Sequence, residues 1–115
     1  MADRQILIVD DDPFMRALLV SAIEHPVATA AGVFEAKTLL NLHSFDLVIS
    51  DLNLEDPEGD GVSVLLTARA VQPSARRCLV TGQPDDRCVR AVSVGLAESV
   101  LRKPWSLADL RRLIG

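Results

Sequence analysis

Aromatic residues are nearly missing. There is no tyrosine, one tryptophan and three phenylalanines in 115 residues, 3% in all. The interior must therefore be aliphatic, and with 49% apolar residues a chain of this length can bury a real core, which excludes a disordered polypeptide. Cysteine is as scarce. Cys78 and Cys88 are too few for a disulfide framework, and no Cys or His pair has zinc-finger spacing, so a reducing, cytoplasmic compartment is expected. No apolar run approaches the roughly 18 residues of a membrane span, and the N-terminus lacks the apolar stretch and cleavage site of a signal peptide. Net positive charge is missing too. The formal charge is −4, and an acidic chain gains nothing from counterion release, so neither nucleic acid nor membrane is an expected direct partner. That total hides an asymmetry: residues 1–75 carry a net −8 and residues 76–115 a net +4. Residues 1–115 are near the commonest domain size and leave no room for a second core, so one domain is expected.

What the sequence does have is alternation. Gln5–Val9 is a continuous apolar run that stops at three carboxylates, the pattern of a strand buried on both faces. Asp12 followed by Pro13 reads as an N-cap with proline at the first helical position, and Met15, Leu18, Leu19, Ala22 and Ile23 follow at helical spacing. Val27–Ala30 is a second strand. Gly32 opens a second helix to about His43, with Val33, Ala36, Leu39 and Leu40 inward. Phe45–Ser50 is the clearest strand and ends at Asp51; an acidic loop then leads to a helix from about Gly61 to Val71, closed by Pro73. Arg77–Val80 is the fourth strand, ending at Thr81–Gly82. Pro84 and Asp85 start a fourth helix to about Val94, with Gly95 just past it. Ser99–Arg102 is the fifth strand, and Ser106 with Asp109 fits a capping box for a last helix carrying Leu107, Leu110, Leu113 and Ile114. Five strands alternating with five helices imply an α/β fold, a doubly wound five-stranded parallel sheet with helices on both faces.

In such sheets ligands bind beyond the carboxyl ends of the strands, at the topological switch point. The residues there are Asp10–Asp11, Asp51, Thr81 and Lys103. Like charges about 4 Å apart cost roughly 4 kcal/mol at an effective dielectric near 20, so three carboxylates at one edge require a cation beyond the single charge of Lys103. Hard oxygen ligands with no His or Cys nearby favour Mg²⁺ or Mn²⁺. A carboxylate beside such a metal, a lysine and a hydroxyl is suited to accept a phosphoryl group as an aspartyl phosphate.

The segments I-L-I-V-D-D-D-P, D-L-V-I-S-D-L-N, L-V-T-G and L-R-K-P-W, in that order and spacing, resemble a response-regulator receiver domain of the chemotaxis-receiver type. The resemblance covers nearly the whole chain and implies a flavodoxin-like fold. It implies two-component phosphorelay signalling, with Asp51 taking a phosphoryl group from the phosphohistidine of a histidine kinase or a histidine phosphotransfer protein. Asp11 would bind Mg²⁺ directly and Asp10 through water, with Asp51 and the backbone carbonyl of Asn53 completing the protein ligands. Thr81 would donate its hydroxyl to the phosphoryl oxygen, Lys103 would pair with it, and the Lys103–Pro104 bond would be cis. The α4-β5-α5 face would switch and be read by a downstream protein or an attached output domain, with a phosphorylation-dependent dimer among the assemblies implied. Such a chain is a phosphoacceptor and not an enzyme that turns over substrates.

Three features depart from the family pattern. The loop after Asp51 carries Glu55 at the fourth position, where a proline is usual; its proline is Pro57, and the Asp60–Gly61 pair ends at the tenth position and not the eighth. The loop is thus two residues longer and unusually acidic, with Glu55, Asp56, Glu58 and Asp60; of two readings, a raised local affinity for divalent cations and plain solvation, solvation is expected. Val100 stands where an aromatic residue is usual, so the aromatic coupling to Thr81 is missing and the readout must travel by backbone shifts. The chain ends at Gly115, which leaves a single-domain protein and a segment of a longer regulator both open. Asn53 and Gln83, two beyond Asp51 and Thr81, occupy positions that in the family influence hydrolysis of the aspartyl phosphate.

Other chemistries fit less well. Asp56–Gly61 starts like a calcium loop, but its twelfth position is Thr67 and its flanks are strand and helix. A haloacid-dehalogenase-type phosphatase needs an Asp where Asn53 stands, and a flavin phosphate would be repelled by Asp10–Asp12. The alternative of another class is a degenerate receiver serving as an unphosphorylated interaction scaffold. His25 and His43, buried Cys78 and Trp105 read as structural.

Overall fold

A computed structural model describes residues 4–115. One strand of unbroken apolar character and four mixed strands form a single parallel sheet. They are β1 (Ile6–Val9), β2 (Val27–Ala30), β3 (Leu47–Asp51), β4 (Arg76–Thr81) and β5 (Ser99–Arg102), and their order across the sheet is β2-β1-β3-β4-β5. Between them run α1 (Pro13–Ala22), α2 (Val33–Leu42), α3 (Gly61–Val71), α4 (Asp86–Ser93) and, after β5, α5 (Leu107–Ile114). The expected doubly wound sheet is therefore the observed one.

Alternation along each strand divides the core in two. Ile6, Ile8, Leu47, Ile49, Cys78 and Val80 meet Leu19 and Ile23 of the α1 segment and Leu110 and Ile114 of α5. Leu7, Val9, Val48 and Leu79 point the other way, against Ala36 and Leu40 of α2, Leu65 and Ala68 of α3, and Cys88 and Ala91 of α4. Trp105 is partly buried against the first layer, as are Met15 and Leu113.

Most element starts follow local chemistry. Asp12 accepts the Phe14 N–H ahead of Pro13, Asp60 and Ser106 form capping boxes, and Asp85 caps α4. Gly95, at φ +74°, lies just beyond α4, where an L side chain would be strained. Several boundaries and faces differ from expectation. β1 begins at Ile6 and β3 covers Leu47–Asp51, so Asp51 belongs to its strand and is not merely adjacent to it. Leu18 and Leu107 are exposed. Leu18 lies beside a seam formed by Met15, Leu19, Ala22 and Ile23, and Leu107 is the first residue of α5, before the helix reaches the sheet.

Helix ends are also tied down by distant side chains. Gln72, just past α3, accepts the Phe45 N–H at 2.7 Å and donates to the carbonyls of Leu40 and His43 at 2.7 and 2.5 Å, closing the end of α2. Arg76 donates to the carbonyls of Leu113 and Ile114 at the end of α5, where Arg4 also donates to Ile114. A guanidinium suits the negative end of the helix dipole.

Candidate functional site

The order reverses between β1 and β3, and the strand register carries the polar residues to one edge. Val9 is paired with Ser50, so Asp10 sits beside Asp51. Asp51 is paired with Val80 and Thr81 with Arg102, so Thr81 and Lys103 each lie one step further along the next strand. These are the residues that the sequence pattern sets at strand ends, and the fold brings them together. Asp10, Asp51 and Thr81 are buried, at 2%, 8% and 1% exposure.

Lys103 Nζ lies 3.0 Å from Asp51 Oδ2 and 3.6 Å from Asp10 Oδ2. Burial alone would lower the Lys103 pKa, but the hydrogen bond and charge of Asp51, with the charge of Asp10, outweigh it and hold the ammonium above its ordinary range. The Asp10 carboxyl is pushed up, first by burial and then by the charges of Asp51 and Asp11, against the opposing Asp12 N–H and Lys103. The Lys103–Pro104 peptide bond is cis.

Each group is held by the backbone around it. Asp10 Oδ1 accepts the Asp12 N–H at 2.9 Å, and Arg16 donates to the Asp10 carbonyl at 2.7 Å. Asp51 Oδ1 accepts the Asn53 N–H at 3.2 Å, Asp11 Oδ2 accepts the Glu55 N–H, and Thr81 Oγ1 accepts the Gln83 N–H. Gly61 N–H bonds the Leu52 carbonyl at 2.9 Å, and a Cβ on Gly61 would collide with the Asp51 carbonyl and lie 2.9 Å from the Leu52 Cα. Only glycine lets the start of α3 approach the end of β3 this closely.

The carboxylate oxygens of Asp10, Asp11 and Asp51 lie within 4.8 Å of one another. An all-oxygen donor set with no His or Cys is what a hard divalent cation takes, and the strain on Asp10 is what such a cation would relieve. The residues present therefore fit Mg²⁺.

The acidic loop is a correction. Its carboxylates were expected to be solvated, and Glu55 and Glu58 are exposed. Asp56 instead accepts the Val33 N–H at 2.7 Å and the Glu58 N–H at 2.9 Å. It caps α2, whose own cap residue Gly32 has no side chain; a Cβ on Gly32 would lie 2.5 Å from Asp56 Oδ2. These backbone bonds hold the Asp56 carboxyl below the usual carboxylate range. Asp60 caps α3 and meets Arg87 of α4 at 2.8 Å. Val100 is half-buried against the second core layer, with no aromatic group in its place. The sequence places Arg87 only among the basic residues of the α4-β5-α5 face; its bond to Asn53 Oδ1 at 2.7 Å, a contact across 34 residues, has no periodic signature.

Among the described residues no helix is long and apolar enough to cross a membrane. Comparison with known proteins gives a consistent result. The chain is 31% identical over 118 residues to the response regulator protein PilR of Pseudomonas aeruginosa, covering 99% of this chain and 26% of that one. A CheY-like response regulator receiver domain from Methanospirillum hungatei superposes with a TM-score of 0.89 at 25% identity, covering 98% of this chain and 91% of that one. A response regulator from Burkholderia pseudomallei, solved with a phosphorylated aspartic acid, a calcium ion and citrate, gives 0.84 at 26% identity, with 98% and 67% covered. The model of the response regulator receiver domain family matches residues 6–115. With the strand order, the buried acidic edge and this match in agreement, the chain belongs to the response regulator receiver domain family.

Proposed function

We propose that this chain, over residues 1–115, acts as one phosphoacceptor domain in a cytoplasmic phosphorelay, with Asp51 as the residue modified. The observation that carries the reading is the buried Asp51 carboxylate, paired with Lys103 at 3.0 Å on the edge where Asp10, Asp11 and Thr81 meet. The donor is the phosphohistidine of a histidine kinase or histidine phosphotransfer protein. An Asp51 oxygen forms the new bond to phosphorus as the phosphorus–nitrogen bond to the imidazole breaks, and the imidazole leaves with that electron pair and takes up a proton. Asp10, Asp11, Asp51 and the Asn53 carbonyl would hold Mg²⁺, which neutralises charge on the transferring oxygens. Lys103 then pairs with the new phosphoryl oxygens, and the Thr81 hydroxyl donates to one of them.

Adding about −2 charge at Asp51 biases the position of Thr81 and Lys103, and through them the α4-β5-α5 face. A downstream protein or attached output domain reads that face, and a second phosphorylated copy is a further partner. The test is incubation with acetyl phosphate and Mg²⁺. Wild type is expected to gain an acid-stable, base-labile phosphate and Asp51→Asn to gain none. A wild type that stays unmodified would instead support the scaffold reading.

A further inference from the structure

Arg87, at the second position of α4, reaches out of its own helix. Its Nη2 donates to Asn53 Oδ1 at 2.7 Å and its Nη1 to Asp60 Oδ2 at 2.8 Å, while its Nε and Nη2 also meet Asp85. Asn53 and Asp60 lie near the two ends of the loop between β3 and α3. Asn53 gives its N–H to Asp51 Oδ1, and Asp60 caps the helix whose first residue, Gly61, bonds the Leu52 carbonyl and leaves no room for a Cβ beside the Asp51 carbonyl. One guanidinium thus grips both ends of the segment that follows the phosphoacceptor. That segment is long and acidic, and Arg87 sets a positive charge against it. A planar fork can satisfy two separated oxygen acceptors at once, which a lysine ammonium on a single stem does less well.

We infer that Arg87 is a positioning residue for the phosphoacceptor edge: it holds the Asn53 backbone in place beside Asp51 and ties that backbone to the first turn of α4. The inference rests on the phosphoacceptor reading and extends it to a residue that touches none of the reacting atoms. Its consequence lies in communication. With Val100 in place of an aromatic, the side-chain route from Thr81 toward α4 is missing, and Arg87 supplies another route by way of Asn53. Because coupling free energies are reciprocal, a ligand on α4 whose affinity changes when the cation binds changes the cation affinity by the same factor.

The test is Mg²⁺ titration of ¹⁵N-labelled wild type, Arg87→Gln, Arg87→Lys, Asn53→Ala and the Arg87→Gln/Asn53→Ala double variant, followed by backbone amide shifts. Arg69→Gln, the same charge loss on α3, is the control. Removing a group that orients a metal ligand typically weakens affinity by about tenfold or more, so Arg87→Gln is expected to bind Mg²⁺ on the order of tenfold more weakly. In it the amides of α4 stop responding to Mg²⁺. Arg87→Lys recovers only part of the loss, and Arg69→Gln behaves as wild type. Asn53→Ala keeps the carbonyl but loses the Arg87 acceptor, so it reproduces the Arg87→Gln effect, and the double variant is no worse than either single one.

Wild-type affinity with an intact α4 response in a folded Arg87→Gln overturns the inference, as do additive effects in the double variant. The same spectra report whether each variant is folded, and Asn53→Ala carries the test if Arg87→Gln is not. A wild type with no Mg²⁺ response at all is a different result, since it brings down the phosphoacceptor reading on which the inference stands.

Discussion

Replacing Asp10 with asparagine should make the metal-free protein more stable. Asp10 is 2% exposed, its carboxylate lies within 4.8 Å of those of Asp11 and Asp51, and the Lys103 ammonium lies 3.6 Å from it. At an effective dielectric near 20, two repulsions across 4.8 Å come to about 7 kcal/mol and the Lys103 attraction returns about 4.6 kcal/mol. Desolvation adds to the deficit, while partial exposure of Asp11 screens some of it, so a net gain of about 1–2 kcal/mol is expected on neutralisation. Asparagine retains an oxygen for the Asp12 N–H, now bound at 2.9 Å, so the turn into α1 survives. For a chain of this size the gain corresponds to a melting temperature higher by about 3–10 °C, read by calorimetry in EDTA. Adding Mg²⁺ at ten times its dissociation constant should raise wild-type stability by about 1.4 kcal/mol and that of Asp10→Asn by much less, closing the gap. An Asp10→Asn variant that melts below wild type in EDTA would refute the charge argument.

Lys103→Ala should leave phosphate incorporation from acetyl phosphate measurable but remove the response of α4 and β5 amide shifts; a full response would contradict the role given to its ammonium. Gln72→Ala breaks three hydrogen bonds to the backbone and should cost about 1–3 kcal/mol in urea unfolding, leaving Mg²⁺ affinity unchanged. Burial, opposed in part by a hydrogen bond with Ser99, pushes the Cys78 thiol up from 9.0 to about 11. The folded chain then holds that proton beyond the pH at which the unfolded chain releases it. Stability should therefore be intact below pH 9 and fall between pH 9 and about 11, by up to about 3 kcal/mol, and that part of the loss should vanish in Cys78→Ala.

The sheet and the residues at its edge were legible because both are written in short-range pattern. Unbroken apolar runs such as Ile6–Val9 mark strands buried on two faces, and the polar residue after each run marks a strand end. Parallel connection then brings those ends to one side. The supports around the site were not legible. Asp56 capping α2, Gln72 closing it and Arg87 gripping the loop after β3 join residues 23, 32 and 34 positions apart, and no local periodicity encodes such pairs. The loop carboxylates looked interchangeable in sequence. In the fold, Asp56 and Asp60 hold backbone N–H groups while Glu55 and Glu58 face water.

The central strands are apolar on both sides, and that has a consequence for assembly. Sliding such a strand by one position exchanges its two faces but still buries hydrocarbon on each, so greasiness alone is a poor guard against misalignment. A slide that pulled Asp10 or Asp51 inward would bury an unmatched charge, at far greater cost than a misplaced methyl group. The acids gathered at the rim thus also serve as stops, and a chain that has joined its strands wrongly cannot bring them together.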